Sequence, residues 1–260
     1  MNMILMSFLA GALGMGFGAL ITAVFGCRTD RIISIFLSFA GGVMISIVFL
    51  ELVPEAIDLS NVVITTIGLI IGAVMVYALN QLMDRFPKKK KESQFHETYT
   101  EFFHSGDIVA RKSSMLRSGI IMLIAIGLHN IPEGLAMGAA GQHDAALGLA
   151  LAIVIGIHSI PEGMAVSAPL IAGGLSRTKS VVMTFLVGAT TIIGAIAGVL
   201  IGGISEIAVA ISISLAGGAM LYVVIGEILP QSIVTSKDRL PTIFILVGII
   251  IGMLFIGLIH

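Results

Sequence analysis

Two six-residue motifs contain histidine and glutamate side chains that could bind a metal ion. They read His129-Asn-Ile-Pro-Glu133-Gly and His158-Ser-Ile-Pro-Glu162-Gly. In each motif the histidine and the glutamate are four residues apart, which places them one turn apart on one face of a helix. Two such faces would offer two imidazole nitrogens and two carboxylates. That ligand set suits zinc, and also iron(II), cobalt or cadmium.

Residues near the motifs could add to the same site. Asn130 and Ser159 each follow a motif histidine and could serve a second, weaker site that shares the two glutamates. Met44, in an earlier apolar segment, could contact a soft metal or could only be a packing residue. The alternative to a metal site is a polar network that holds helices together. Four ionisable groups in duplicate favour the metal.

The composition indicates that these motifs lie in a membrane protein. Of the 260 residues, 57% are hydrophobic and 11% are charged, whereas a soluble domain has about 25% charged residues. The net charge of −1 gives no indication of nucleic-acid binding. Cys27 is the single cysteine, which excludes intrachain disulfides and cysteine-based zinc clusters. The sequence contains no Walker-type nucleotide motif.

Eight apolar windows have the length of about 20 residues that a membrane-spanning helix needs. They lie near 3–26, 32–53, 62–83, 118–140, 146–172, 181–203, 207–229 and 241–259. We therefore expect an all-α integral membrane protein with one transmembrane domain over residues 1–260. Both motif histidines fall near the centre of their windows, the fourth and the fifth. Ionisable groups at that depth must face each other, water or a cation, because facing lipid is costly.

The basic residues predict the orientation of the chain. All 14 lysines and arginines lie in or beside connections on one side of the membrane, which the positive-inside tendency identifies as cytoplasmic. Both termini would then lie on the outer side of the cytoplasmic membrane. The long connection 85–117 would be cytoplasmic, and it contains Lys88 to Lys91, His96 and His104. It could catch metal or regulate, or it could be a solvated linker whose lysines only enforce topology.

The second window resembles the seventh. Residues 40–54 and 216–230 are identical at seven of fifteen positions without a gap. Because windows two and seven run in opposite directions, the repeat is inverted, and the two metal-binding motifs also lie on antiparallel spans. We expect spans 1–3 and 6–8 to form an inverted repeat around the central pair of spans 4 and 5. Such an organisation is typical of transporters.

Two acidic residues occupy equivalent positions in this repeat. Topology places Glu51 near the outer end of span two and Glu227 near the inner end of span seven. They could be the entrance and the exit of an ion pathway. They could equally be boundary residues that reach lipid headgroups or cap loops, and both interpretations stay open.

Together these features resemble the ZIP family of metal-ion transporters (the Zrt-, Irt-like proteins), in its prokaryotic GufA-like branch. The resemblance rests on the eight spans, the cytoplasmic connection after span three and the paired His-x-x-Pro-Glu-Gly motifs. It implies uptake of zinc and related divalent cations into the cytosol, with the metal as transported substrate and no cofactor. It also implies a homodimer, and an elevator-like motion of spans 1, 4, 5 and 6 against spans 2, 3, 7 and 8.

The resemblance also implies how the ligands divide between two positions. The primary site would comprise the four motif ligands with Met44, and the secondary site Asn130, Ser159 and the two shared glutamates. Members of this branch that bind two ions often have a glutamate in span six, where this chain has Thr191. We therefore expect one well-formed metal position.

Two other functions could use the same side chains. A membrane-embedded zinc hydrolase needs an open coordination position and a general base. The sequence lacks His-Glu-x-x-His, and a duplicated motif lacks the asymmetry that catalysis usually requires. A chain of glutamates and histidines could also relay protons without a metal. The leading prediction is a transporter with no enzymatic activity, whose partners are a divalent cation and membrane lipid.

Overall fold

The computed structural model describes residues 3–25, 29–85, 108–143, 145–200, 206–236 and 238–259. Within these residues, eight helices are long and apolar enough to cross a membrane, which confirms the predicted all-α fold. They are α1 Met3–Phe25, α2 Asp30–Asp58, α3 Val62–Arg85, α4 Ile108–His143, α5 Ala145–Ala172, α6 Arg177–Leu200, α7 Glu206–Thr235 and α8 Leu240–Ile259.

The connection between α3 and α4 is described only in part. Helix α4 begins at Ile108, so its first turns belong to the range 85–117 that the sequence assigns to this connection. Lys88 to Lys91, His96 and His104 lie outside the described residues. Both interpretations of this segment therefore remain predictions.

Helices α2 and α7 extend further than their apolar windows because each continues past a proline. Pro54 follows a π-helical turn at Val48–Leu52, and Pro230 follows one at Val224–Ile228. A π-helical turn already departs from the regular i→i−4 bonding pattern, so the missing N–H of proline causes less disruption there than in a regular helix. The acidic residue of each repeat lies within this wider turn.

Helix α6 is interrupted near its middle. Its two segments, Arg177–Gly188 and Thr191–Leu200, meet at a turn formed by Ala189 and Thr190. The interruption contains no proline, so the sequence window showed one continuous span. It leaves backbone carbonyl groups without a helical partner, and such groups need donors from elsewhere when they are buried.

Close helix contacts show that the inverted repeat extends beyond the segment that the sequence reveals. A Cβ atom at Gly42 in α2 would collide with the carbonyl oxygen of Ile245 in α8. A Cβ atom at Gly218 in α7 would collide with the carbonyl oxygen of Leu69 in α3. The two contacts are equivalent, because positions 42 and 218 differ by 176 and positions 69 and 245 differ by the same number. Helices α2 and α3 are therefore repeated, in register, as α7 and α8.

Helices α1 and α6 are related by the same difference of 176 positions. Gly18 in α1 packs against the carbonyl group of Ile160 in α5, and Gly194 in α6 packs against that of Ile131 in α4. The contacted residues in α4 and α5, Ile131 and Ile160, are 29 positions apart, which is also the spacing of the two motifs. Helices α4 and α5 are therefore equivalent to each other in the repeat. These contacts confirm an inverted repeat of spans 1–3 and 6–8 around a central pair.

The eight helices pack as two bundles. In what we call the flanking bundle, α2 packs against α8 and α3 against α7. In what we call the motif bundle, α1 packs against α5, and α4 packs against α5 and α6. The two bundles meet where α4 contacts α7 and where α2 contacts α5. The repeat relates these two contacts to each other.

Candidate metal site

The four motif side chains meet in the buried interior. His129, Glu133, His158 and Glu162 are each at most 4% exposed. The Nε2 atom of His129 lies 2.9 Å from Oε1 of Glu133 and 3.4 Å from Oε1 of Glu162. The Nε2 atom of His158 lies 2.9 Å from the same Glu133 oxygen. The i, i+4 spacing on α4 and α5 therefore brings both pairs to one point.

Three of the four carboxylate oxygens at this point lack a hydrogen-bond partner, and the fourth, Oε1 of Glu133, is hydrogen-bonded to Nε2 of His158. Oε2 of Glu133 and both oxygens of Glu162 are buried without a hydrogen-bond partner. Nε2 of His129 approaches the carboxylates without the alignment of a hydrogen bond. Buried acceptors that converge without donors are costly unless a cation binds between them. One ligand atom from each of His129, Glu133 and Glu162 lies within 4.8 Å of the others.

A backbone carbonyl of α7 orients one of the histidines. The Nδ1 atom of His129 lies 3.0 Å from the carbonyl oxygen of Ala216. Because a carbonyl oxygen only accepts, Nδ1 carries a proton, and in the neutral ring this leaves the lone pair of Nε2 for a metal ion. Histidines that bind metals usually have such a second partner. The sequence could not identify Ala216, since its contribution comes from the backbone.

Two side chains that the sequence predicted for a second site form hydrogen bonds to backbone groups. Nδ2 of Asn130 donates to the carbonyl of Val187, at 3.1 Å, next to the interruption of α6. Its Oδ1 atom is buried without a hydrogen-bond partner. Oγ of Ser159 donates to the carbonyl of Ile155, at 2.7 Å, within α5. Of the polar side-chain atoms of Asn130 and Ser159, only Oδ1 of Asn130 has no hydrogen-bond partner.

Thr191 joins α6 to α1. Its Oγ1 atom lies 3.0 Å from the carbonyl oxygen of Ser7 and 2.9 Å from that of Gly188. In return, Oγ of Ser7 donates to the carbonyl of Thr191 at 3.1 Å. The hydroxyl group of Thr191 thus contacts one carbonyl at the α6 interruption and one in α1.

Met44 lies in the central apolar cluster. It is fully buried, and the cluster also contains Met220, which is its equivalent under the shift of 176 positions. Met122 and Ala125 of α4 belong to the same cluster. These neighbours account for Met44 as a packing residue, and its role as a metal ligand stays a prediction.

The two acidic residues of the repeat have different surroundings. Glu227 is 8% exposed and accepts hydrogen bonds from Nδ2 of Asn80, at 3.1 Å, and Oγ of Ser118, at 3.3 Å. Glu51 is partly buried and lines a cavity of about 330 Å³ together with His158. Sequence reasoning missed Asn80 and Ser118, which lie 147 and 109 positions from Glu227.

Comparisons with known proteins agree with this architecture. The family model described as ZIP Zinc transporter matches residues 1–260. Zinc transporter ZupT of Chlorobaculum parvum is 33% identical, over 87% of this chain and 86% of its own. The ZupT proteins of Streptococcus mutans and Akkermansia muciniphila are each 32% identical, over 97% and 98% of this chain and 94% and 95% of their own. The chain therefore belongs to the ZIP zinc transporter family, as its motifs predicted.

Proposed function

We propose that this protein transports zinc and related divalent cations, and that His129, Glu133, His158 and Glu162 bind the ion in transit. The observation that carries the proposal is the convergence of two buried carboxylates on the Nε2 atoms of two histidines, where three of the four carboxylate oxygens have no hydrogen-bond partner. The names of the relatives, which are zinc transporters, support zinc as the substrate. The two motifs have matching ligands, which suits carriage of an ion better than hydrolysis.

The ion would reach the site from each side in turn. The two bundles and their inverted repeat support alternating access, in which the motif bundle moves against the flanking bundle. Glu51 and Glu227, at equivalent positions on opposite sides of the site, would line the two halves of the pathway. The concentration of basic residues on one side supports uptake into the cytosol, with the protein in the cytoplasmic membrane and both termini outside.

Reconstituted protein tests the proposed transport directly. Proteoliposomes that contain the protein should accumulate zinc faster than empty vesicles, and unlabelled iron, manganese or cadmium should compete in the order of their affinities for the site. Zinc accumulation no faster than in empty vesicles would contradict the proposal. Cleavage of a peptide or a lipid without ion flux would instead favour the hydrolase.

One ion per chain is the expected stoichiometry. A second ion would need Asn130, Ser159 and a further carboxylate, but Thr191 stands at the position expected for that carboxylate and its hydroxyl bonds to backbone carbonyls. Elemental analysis of the purified protein after equilibration with excess zinc should therefore give about one zinc per chain, in a Cys27→Ser background that removes the thiol. Two tightly held ions would show that these side chains rearrange into a second site.

Lowering the pH should weaken transport. Protons compete with the metal for imidazole and carboxylate ligands, and an imidazole takes up a proton at about pH 6.5. Lowering the pH from about 7 to about 5 should raise the zinc concentration for half-maximal uptake about tenfold or more. The pH should be equal on both sides, so that a proton gradient does not contribute. A half-maximal concentration that stays constant over this range would argue against these ligands.

The outward surfaces of α3 and α8 are proposed to contact lipid and a second copy of the chain. Both helices bury little of their surface within one chain, and α8 exposes large apolar side chains that include Ile250, Leu254 and Leu258. A homodimer would cover part of this surface, and lipid the remainder. The mass of the purified protein in detergent, corrected for the bound detergent, distinguishes a dimer from a monomer.

A further inference from the structure

The two proposed metal-binding histidines are equivalent in the repeat, but their second ring nitrogens have different surroundings. Nδ1 of His129 is bonded to the carbonyl of Ala216, at 3.0 Å. The repeat converts this pair into His158 and Ala40, through its shifts of 29 and 176 positions. Nδ1 of His158, however, is buried and has no hydrogen-bond partner. The structure therefore contains one of two equivalent bonds.

The bond that is present connects the two bundles. His129 belongs to the motif bundle and Ala216 to the flanking bundle. A second hydrogen bond crosses the same α4–α7 contact nearer its end, where Oγ of Ser118 donates to Glu227. A third approach, between Nε2 of Gln231 and the sulfur of Met115 at 3.2 Å, also lies there. The α4–α7 contact is thus hydrogen-bonded from the level of His129 to that of Met115.

The equivalent contact between α2 and α5 contains a cavity. The cavity of about 330 Å³ lies there, between residues of α1, α2, α5 and α8. Val43, Ile47 and Glu51 line it from α2, and Val154, Ile157 and His158 line it from α5. Apart from Glu51 and His158 its walls are apolar, and Nδ1 of His158 has no hydrogen-bond partner there. The missing bond and the cavity are two aspects of the same asymmetry.

We propose that the carbonyls of Ala216 and Ala40 position the two histidines alternately. In the state seen here, His129 is bonded to Ala216. In the opposite state, His158 is bonded to Ala40, the α2–α5 contact closes and the α4–α7 contact opens. This inference rests on the proposed alternating access. Each change of state breaks one bond from a buried Nδ1 and forms an equivalent one, so neither state leaves both nitrogens unpaired, which would be costly.

A pair of spin labels can measure the two states. Thr178, in the motif bundle, and Arg239, beside the flanking bundle, are both exposed and lie in connections on the same side of the membrane. Thr178→Cys and Arg239→Cys, in a Cys27→Ser background, provide the labelling sites. Double electron–electron resonance on the metal-free protein then gives the populations of the distances between the bundles. Two distances are expected, one of which matches this structure.

Asparagine and glutamine variants separate the role of Nδ1 from that of Nε2. The amide nitrogen of asparagine can occupy the position of histidine Nδ1, whereas that of glutamine reaches the position of Nε2. Relative to His129→Asn, His129→Gln should lower the ratio of the present state to the opposite state about fivefold, the effect of one hydrogen bond. Relative to His158→Asn, His158→Gln should raise that ratio by a similar factor.

Three results would overturn the inference: no difference between the glutamine and asparagine variants, shifts of the same sign at both histidines, or a single distance in every sample. Zinc uptake by the unlabelled wild-type protein is measured in parallel. Uptake without opposed shifts would refute the alternating bonds and leave the transport function intact. Absence of uptake would refute the transport function itself.

A serine variant tests the same asymmetry without changing a proposed ligand, in case the histidine variants do not fold. Ser118→Ala removes a second hydrogen bond that crosses the α4–α7 contact, and it should shift the populations in the same direction as His129→Gln. Ser212→Ala is the matched control, because its hydroxyl donates to Ala208 within α7 at 3.0 Å. Equal populations in both serine variants would contradict the proposed role of the α4–α7 contact.

Discussion

Zinc uptake is expected to fall to the level of empty vesicles when His129→Ala and Glu133→Ala are combined. The double variant removes half of the proposed ligands, including the carboxylate oxygen that both histidine nitrogens approach at 2.9 Å. Mutating residues that only orient a metal ligand typically reduces affinity or activity about 10–100-fold. Loss of two ligands should therefore lower the initial rate of zinc or cadmium uptake by more than about 100-fold.

A matched variant separates the loss of a ligand from the loss of an acidic residue. Glu206 is exposed at the start of α7 and lies far from the site along the chain. Glu206→Gln should transport zinc at the wild-type rate when equal amounts of protein are reconstituted. Circular dichroism and gel filtration of both variants show whether the helices and the assembly are retained. Zinc or cadmium uptake that persists in the double variant would disprove the proposed site.

A large loss of thermal stability, or failure to assemble, is expected when Gly42 or Gly218 is replaced by leucine. At each position a backbone carbonyl of the neighbouring helix occupies the space of a Cβ atom, and a backbone group cannot move aside as a flexible side chain can. Forcing atoms into a packed interior costs about 1–3 kcal/mol and occasionally more. The two helices would have to separate, so we expect the midpoint of thermal unfolding to fall by roughly 5–10 °C or the protein not to assemble.

Gly257 provides the control for this experiment. It lies in α8, and a Cβ atom built there meets nothing within 4 Å. Gly257→Leu adds the same apolar side chain in a membrane-spanning helix, and it should unfold at the wild-type temperature. Gel filtration of heated samples gives the unfolding midpoint of each variant. Equal midpoints for all three leucine variants would show that the close contacts of α2 with α8 and α3 with α7 contribute little.

Much of the fold could be predicted from the sequence because a bilayer imposes length and hydrophobicity on every spanning helix. The eight windows correspond to eight helices. The repeat of residues 40–54 at 216–230 is visible in the sequence because identical residues, including the glutamates of the two π-helical turns, stand at matching positions. The interruption of α6 was not predicted, since its turn contains neither proline nor glycine. The repeat of α1 in α6 was predicted only from the order of the spans, because packing preserves the close glycine contacts while most other side chains differ.

The same contrast holds for the site. The four motif ligands could be predicted because their i, i+4 spacing and their depth depend only on helix geometry. Ala216 could not be predicted, since a backbone carbonyl is independent of residue type. The bonds from Asn80 and Ser118 to Glu227 depend on how distant helices pack, and no local pattern encodes that packing.

The register of the repeat has a consequence for how the chain is ordered. Since α5 corresponds to α4, the run α5-α6-α7-α8 is equivalent to α4-α1-α2-α3. A short turn at residues 173–176, with Gly174 at a φ of +98°, connects α5 to α6. The equivalent ends of α4 and α1 are also neighbours, because Gly141 packs against the side chain of Met3. The helix arrangement is therefore that of a tandem duplication of a four-helix unit, circularly permuted in its first half.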